Sequence, residues 1–241
     1  MVMSIVTKDE VRADRMYLAL MEEAKTRIHI VNGLYHNKSE FPVSMVRELC
    51  YLQYRFLCEI IALACLVIHG DIKKTKALRE EYDAAKILKQ MSGLKRDFFP
   101  HAVLQQTRGK YVHFIDATDC APITKDEVIN LWRKSGDKLH RGKMVNLGRP
   151  ELMVVGLLTK TKSAPETFPD LFLWSGKISC LLRSHWITLT KTDRKIKAIF
   201  VTLKSPDTPH AKASVMVFDK DAPIKATGYV KVFKFSTESA E

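Results

Sequence analysis

The sequence predicts an α+β protein in which an N-terminal helical bundle is followed by a small antiparallel β-meander. Apolar residues recur at helical spacing through the first half of the 241 residues. From Trp186 onward, short segments rich in β-branched and aromatic residues alternate with a period of two. We divide the chain into a helical bundle (1–105), a short strand with two helices packed on that bundle (106–185) and the meander (186–241), and we expect one continuous globular unit.

The first two helices begin and end at recognisable signals. Thr7 and Glu10 have the spacing of a capping box, which starts a helix that extends to about Tyr35. Pro42 starts the second helix, which ends at Gly70, a residue type favoured at helix C-termini. Because the second helix is apolar nearly all round, we expect it at the centre of the fold, antiparallel to the first.

Three more helices follow the same periodicity. The third is expected to bury a face that carries Leu78, Tyr82, Ala85 and Leu88. A second capping box, in the segment Ile123–Val128, starts the fourth helix, and the segment Pro165–Pro169 sets off the fifth. The predicted ranges are Asp71 or Thr75 to Met91, Lys125 to about His140, and about Asp170 to Arg183.

Five short segments have the composition of strands, and turn-rich segments separate the later ones. An antiparallel arrangement with one face against the helices is the simplest sheet that they can form. The predicted strands are Gly109–Ile115, Trp186–Thr190, Lys197–Leu203, Ser214–Phe218 and Gly228–Phe235.

No segment predicts membrane insertion or export. The longest apolar run, Ile60–Ile68, is far shorter than the roughly 20 residues of a membrane span. Residues 1–6 are followed at once by charged residues, without the long apolar region of a secretory signal. The five cysteines are an odd number, and three of them lie along the second helix, where free cysteine behaves as a small hydrophobe. A cytoplasmic location is therefore predicted.

The sequence contains no local motif for a metal, nucleotide or esterase site. C-x-x-C and H-E-x-x-H do not occur, and the eight histidines are scattered singly. Gly-rich phosphate loops and G-x-S-x-G do not occur either. We therefore predict neither a metal nor a cofactor.

The formal net charge of +12 makes polyanions the more plausible partners. Lys231 and Lys234 alternate with aromatic residues on a predicted strand, as in sheet surfaces that stack bases. We therefore expect RNA or DNA as a partner, whereas no pattern identifies a protein partner. The alternatives are a surplus that serves solubility and lysines that protect a strand edge from aggregation.

A polar stripe runs along the second helix. Glu48, Arg55 and Glu59 fall within about 40° of one another at 100° per residue, on a helix that is otherwise apolar. Ionised groups taken out of water require partners, and Arg55 and Glu59 have the i, i+4 spacing of an ion pair. The stripe is either a buried structural network or the wall of a polar pocket in which a carboxylate does acid–base chemistry.

The fourth helix carries the most specific candidate site. Arg133, Asp137 and His140 fall within about 60° of one another, opposite an apolar face. An arginine and a histidine are thus placed side by side at the surface, although Gly136, a poor helix former, lies between them. The alternative is a set of solvated side chains in which His140 caps the helix. The neighbouring basic residues, candidates for binding, are Lys134, Lys138 and Arg141.

The spacing Arg133-x6-His140 resembles the R-x(4–6)-H signature of the HEPN superfamily, helical proteins that include metal-independent ribonucleases of bacterial defence and toxin–antitoxin systems. The resemblance covers about Asp9–His140. It implies that Arg133 binds the scissile phosphate and that His140 transfers protons during attack by the ribose 2′-hydroxyl. Sites of this family are usually completed across a two-fold axis, so the resemblance also implies a homodimer.

Three functions remain open at this point. The first is a HEPN-like ribonuclease or RNA-binding protein of bacterial or phage-related origin, with catalytic residues on the fourth helix. The second is a non-catalytic interaction or regulatory protein in which the polar stripe is purely structural. The third is a small-molecule enzyme with a polar pocket at Glu48, Arg55 and Glu59.

Overall fold

Helices precede the sheet in the computed structural model, which describes residues 8–36, 41–69, 81–108, 111–139, 169–192, 195–203 and 210–219. The helices are α1 (Lys8–His36), α2 (Val43–Ile68), α3 (Ala84–Leu94), α4 (Lys125–Leu139) and α5 (Pro169–Arg183). The strands are β1 (His101–Arg108), β2 (Tyr111–Asp116), β3 (Ser184–Lys191), β4 (Lys195–Thr202) and β5 (Lys212–Asp219). The predicted α+β class is confirmed. The predicted strand Gly228–Phe235 and Thr7 of the first capping box lie outside the described residues.

The described strands form one antiparallel sheet in the order β2-β1-β3-β4-β5. β3, β4 and β5 pair with their neighbours in sequence and make the predicted meander. The hairpin of β1 and β2 adds to the other side of β3, where His101 lies opposite Trp186. The sequence did not indicate β1, because its second half, Gln105–Arg108, is polar and shows no alternation.

The central position predicted for the second helix is confirmed, because α2 packs against α1, α3 and α4. The segment Met45–Ile68 is long and apolar enough to cross a membrane, but most of it is buried inside the described fold, as the core helix of a soluble protein would be. Fully buried side chains of α2 include those of Tyr51, Tyr54, Leu57, Cys58, Ile61 and Cys65.

Buried side chains lie on both faces of the sheet. Ile187, Ile199 and Val201 belong to the main core with the helices. Phe200, which lies between Ile199 and Val201, points to the opposite face of the sheet. It belongs to a second cluster with Val103, Phe114 and Met216, and Trp186 packs against this cluster. The expected contact of one sheet face with the helices is present, and the second cluster gives the opposite face a small core of its own.

A buried hydrogen bond joins α1 to β3. Tyr17 Oη lies 2.6 Å from Nε2 of His185, and Nδ1 of His185 lies 3.1 Å from the carbonyl oxygen of Leu182. Both side chains are fully buried. The carbonyl requires an Nδ1–H donor, so Nε2 accepts from the tyrosine. Burial lowers the pKa of His185 to about 4, and the ring is therefore neutral at pH 7.

The predicted third helix does not run unbroken to Met91, because residues 81–83 are not helical. α3 begins at Ala84, and Asp83 has an extended backbone conformation whose carboxylate accepts hydrogen bonds from the backbone nitrogens of Ala85 and Lys86. This N-cap provides acceptors for two backbone N–H groups that have no partner within the helix, so the helix begins directly after it. Tyr82, expected on the buried face, is 77% exposed because it precedes the cap. Ala85 is buried as predicted, and residues 71–80 lie outside the described residues.

The predicted start of the fourth helix is confirmed. The carboxylate of Glu127 accepts from the backbone nitrogen of Thr124, and the backbone nitrogen of Glu127 donates to Oγ1 of Thr124, which completes a capping box. Lys177 of α5 stabilises this turn through two contacts. Its Nζ lies 2.5 Å from Oε1 of Glu127, and its backbone carbonyl accepts a hydrogen bond from the backbone nitrogen of Ile123.

A disulfide between Cys120 and Cys180 also fastens this loop to α5. The sequence did not indicate the bond, since the two cysteines are 60 positions apart and no local pattern pairs them. Arg183 forms an ion pair with Asp119 beside it. The three cysteines of α2 are free and buried, as expected. Disulfides are rare in reducing compartments, so this bond argues against the predicted cytoplasmic location, which stays a prediction.

Candidate functional site

α4 presents a polar face to solvent, which is the face predicted to carry the site. Val128 and Leu131 are fully buried against the rest of the fold, whereas Arg133, Asp137 and Lys138 are exposed. The structure thus places Arg133 and Asp137, one turn apart, on the open side of the helix. The other predicted residues, His140, Arg141, Lys231 and Lys234, lie outside the described residues. His140 directly follows Leu139, the last residue of α4.

The polar stripe of α2 meets α4. Nε of Arg55 lies 3.3 Å from Oε1 of Glu59, the ion pair that the spacing predicted. The same carboxylate oxygen accepts from Nε1 of Trp132 at 3.0 Å, and the guanidinium lies over the Trp132 ring at 4.5 Å. Arg55 and Glu59 are about a quarter exposed, so the network is half-buried rather than buried as expected. Glu48 lies two turns earlier on α2 and is also half-buried.

Gly136 makes room for this network. A Cβ atom at Gly136 would lie only 2.9 Å from Nη1 of Arg55, which is closer than real Cβ contacts. The glycine that interrupts the helical pattern of α4 therefore has a packing reason. Arg55, fixed by Glu59 and Trp132, occupies the space where any other residue at 136 would place its side chain.

Replacing Gly136 with leucine is expected to push aside the flexible end of the Arg55 side chain and to lower the free energy of unfolding by at most about 1 kcal/mol, because Arg55 then loses its ion pair with Glu59 and its contact with Trp132. Leucine is the better helix former, so such a loss would come from displacement of Arg55. Urea unfolding measures the change. In an Arg55→Ala background the space is open, and the same substitution should cost much less. An equal cost in both backgrounds would contradict this role for the glycine.

A second group of polar and aromatic side chains lies where α2, α4 and α5 meet, and we call it the Asp170 cluster. Oδ2 of Asp170 lies 2.8 Å from Nη2 of Arg47, 2.5 Å from Oη of Tyr51 and 3.7 Å from Nζ of Lys134. Nζ of Lys134 also lies 6.0 Å from the centroid of the Tyr51 ring and 5.8 Å from that of Trp174. The ammonium of Lys134 therefore lies between the carboxylate of Asp170 and the rings of Tyr51 and Trp174.

The protonation states in the Asp170 cluster follow from these contacts. Burial alone would raise the pKa of Asp170, but the hydrogen bond from Tyr51 and the charges of Arg47 and Lys134 outweigh it, and the pKa lies below its usual value. Burial and the neighbouring carboxylate raise the pKa of Tyr51 to about 12. At neutral pH the cluster therefore contains two cations, one carboxylate and a neutral phenol.

Sequence reasoning named Lys134 for its charge but missed the other members of the Asp170 cluster. Arg47 and Tyr51 are spaced i, i+4 on α2, and Trp174 follows Asp170 by four residues on α5. Each pair by itself indicates a polar face on its helix. Their meeting at one point depends on how the three helices pack, which no local pattern shows.

The described residues offer no site for a metal ion, because no group of three histidine, cysteine or acidic side chains among them is suitably placed. Comparison of the chain with protein-family models, with curated proteins and with solved structures finds no match. The candidate functional residues therefore rest on the sequence pattern and on the geometry and charge of the described residues, and those that the structure describes lie on and beside α4.

Proposed function

We propose that this protein binds RNA through the exposed face of α4 and cleaves it in the manner of a HEPN ribonuclease. The observation that carries the proposal is the exposure of Arg133 and Asp137 on the open side of α4, seven and three positions before His140 in the sequence. The net charge of +12 supports a polyanionic substrate, because Lys and Arg side chains neutralise phosphates and release counterions. The resemblance supports RNA over DNA, since the attacking group is the 2′-hydroxyl.

The proposed chemistry needs only side chains and substrate. Arg133, always charged, binds the scissile phosphate in its planar fork and stabilises the charge that develops there. His140 transfers the proton as the 2′-oxygen attacks phosphorus and the bond to the 5′-oxygen breaks, which leaves a cyclic phosphate and a free 5′-hydroxyl. Asp137, one turn from Arg133, orients the arginine. A second copy of the chain would face this site across a two-fold axis.

The test is to incubate the wild-type protein with labelled single-stranded RNA in EDTA and to follow both binding and cleavage. His140→Ala is expected to abolish cleavage and to keep binding, and Arg133→Gln is expected to weaken both. His29→Ala and Arg96→Gln are matched controls, because both residues are exposed on other parts of the fold, and neither should change cleavage. Cleavage that survives His140→Ala would overturn the assignment of the catalytic histidine.

A second function is supported by the half-buried network of α2. Arg55 and Glu59 are engaged with each other and with Trp132, as a purely structural role for the stripe requires. A non-catalytic protein that binds RNA with the same face of α4 is the function that this arrangement favours next, ahead of a small-molecule enzyme. RNA binding without cleavage by the wild type would select it.

A further inference from the structure

We propose that the outer face of α1 binds a second copy of this chain, with the two α1 helices antiparallel across a two-fold axis. This inference goes beyond the proposed function, because the interface lies on α1 and α2 and forms without RNA. The exposure, the spacing and the order of charges on this face support it. The residues that form the face, which we call the α1 seam, are Met16, Leu20, Glu23, Arg27, Ile30 and Leu34.

The first support is apolar surface at both ends of the α1 seam. Met16 is 46% exposed and Ile30 is 41% exposed, although another face of α1 is buried against α2. Leu20 and Leu34 follow them by one turn and are half-buried, so each end of the seam is a continuous apolar strip. Strips of this kind on a protein surface mark interaction sites, whereas single exposed apolar residues do not.

The second support is the spacing within the α1 seam. Its members follow one another at intervals of 4, 3, 4, 3 and 4 residues, and at 100° per residue all of them lie within about 80°. Alternating intervals of three and four residues form the narrow stripe along which two helices pack in a coiled coil. The seam follows the helix for about 27 Å, which is long enough for an extended contact with one other helix.

The third support is that the α1 seam is complementary to itself. Its intervals are symmetric about position 25, so an antiparallel second copy that is centred there places Glu23 opposite the partner's Arg27. A parallel copy in register would place Glu23 beside the partner's Glu23, and like charges repel. A two-fold interface requires self-complementarity, because the same residues meet on both sides. The antiparallel copy also pairs the apolar ends, Met16 with the partner's Leu34 and Leu20 with the partner's Ile30.

The charged pair at the centre of the α1 seam is already held in place. Nη2 of Arg27 lies 2.5 Å from Oε1 of Glu23. Nη1 of the same arginine donates to Gln53 of α2 at 3.0 Å, and the guanidinium lies over the ring of Phe56 at 4.3 Å. About half of the Glu23 side chain is exposed, so its carboxylate is open to a second arginine. Two such pairs across the axis give four charges that alternate in sign.

α2 enlarges the apolar surface beside the α1 seam. Met45, Leu52 and Phe56 fall within about 40° of one another on α2, on the side that Arg27 reaches. Met45 is exposed, and the other two are half-buried. A stable interface buries about 800 Å² on each partner, and two adjacent helices reach that area more readily than one. Two copies that meet in this way pack α1 and α2 of both chains together.

The first experiment is sedimentation equilibrium of the full chain at several concentrations, without RNA. The wild type is expected to pass from monomer to dimer as the concentration rises. Ile30→Asp puts a carboxylate into an apolar end of the α1 seam, and the two-fold axis introduces it twice, so the dimer Kd should rise about 100-fold or more. Leu94→Asp is the matched control, because Leu94 is an exposed apolar residue of α3, and it should leave Kd unchanged.

The second experiment tests the antiparallel arrangement by exchanging charges. Glu23→Lys leaves only cations at the centre of the α1 seam, and Arg27→Glu leaves only carboxylates, so each variant alone should dimerise at least about tenfold more weakly. In a one-to-one mixture, position 23 of each chain faces an opposite charge at position 27 of the other, and the dimer should return. Thermal melting at a concentration at which the wild type is monomeric checks that every variant folds.

A wild-type protein that stays monomeric at every concentration, or a mixture that does not dimerise, would overturn the proposal. These results are separable from the test of the proposed function. His140→Ala should dimerise as the wild type does, so loss of RNA cleavage in that variant leaves the interface intact. A dimer that persists in Ile30→Asp but is lost in Arg133→Gln would place the second copy at α4 and overturn the interface on α1.

Discussion

Reduction of the disulfide between Cys120 and Cys180 is expected to lower the free energy of unfolding by about 4 kcal/mol. The bond joins residues 60 positions apart, and closing a loop of that length removes much of the conformational entropy of the unfolded chain. The backbone hydrogen bond of Ile123 and the ion pairs of Lys177 and Arg183 remain after reduction, so the native loop should keep its place. Urea unfolding with and without a reducing agent measures the difference.

The double variant Cys120→Ala, Cys180→Ala is the control. It should unfold at the same urea concentration as the reduced wild-type protein, and a reducing agent should have no effect on it. The three cysteines of α2 are free and buried, so they add no response of their own to reduction of the folded protein. Equal stability of the oxidised and reduced wild type would contradict the prediction.

Acidification from pH 6.5 to pH 4 is expected to destabilise the fold by about 3 kcal/mol through His185 alone. Burial holds the pKa of His185 at about 4 in the folded protein, against about 6.5 in the unfolded chain. Between these values the unfolded state binds more protons, so stability rises with pH there and is fully present above pH 6.5. Urea unfolding at half-unit pH steps measures the slope.

His185→Gln separates this effect from other titrations. Glutamine can accept from Tyr17 and donate to the carbonyl of Leu182 but does not titrate. Its stability should therefore change little between pH 6.5 and pH 5. Asp170 and Glu127, whose pKa values are lowered despite burial by their hydrogen bonds and ion pairs, lose stabilisation only at lower pH. The same slope in wild type and variant would contradict the assignment to His185.

Local signals predicted the elements that depend on neighbouring residues. The capping box of Thr124 and Glu127 placed the start of α4, because both partners lie within one turn. The sequence wrongly placed Tyr82 on the buried face of the third helix because apolar spacing continues through it, whereas the N-cap at Asp83 makes α3 begin at Ala84. The sequence did not predict β1, because its residues do not alternate between apolar and polar. Pairing with β2 on one side and β3 on the other stabilises it as a strand.

At the candidate site, too, the sequence predicted what one helix determines by itself and did not predict the contacts between helices. Helical periodicity correctly placed Arg133 and Asp137 on the open face of α4, since the apolar residues of one helix determine which side is buried. The same periodicity did not predict that Arg55 would fill the space beside Gly136, or that Asp170 would meet Arg47. Contacts of this kind join residues on different helices, and the angle and depth of helix packing decide them.

The topology of the sheet has a consequence for the order of folding. The meander of β3, β4 and β5 joins segments that are close in sequence, whereas β1 reaches β3 only across the chain that contains α4 and α5. Closing such a long loop is slow, so the meander should form early and the β1–β2 hairpin should join it late. The disulfide links a residue just after β2 to one just before β3. An oxidised chain therefore has a short path between the two halves of its sheet, and it should refold faster than the reduced chain.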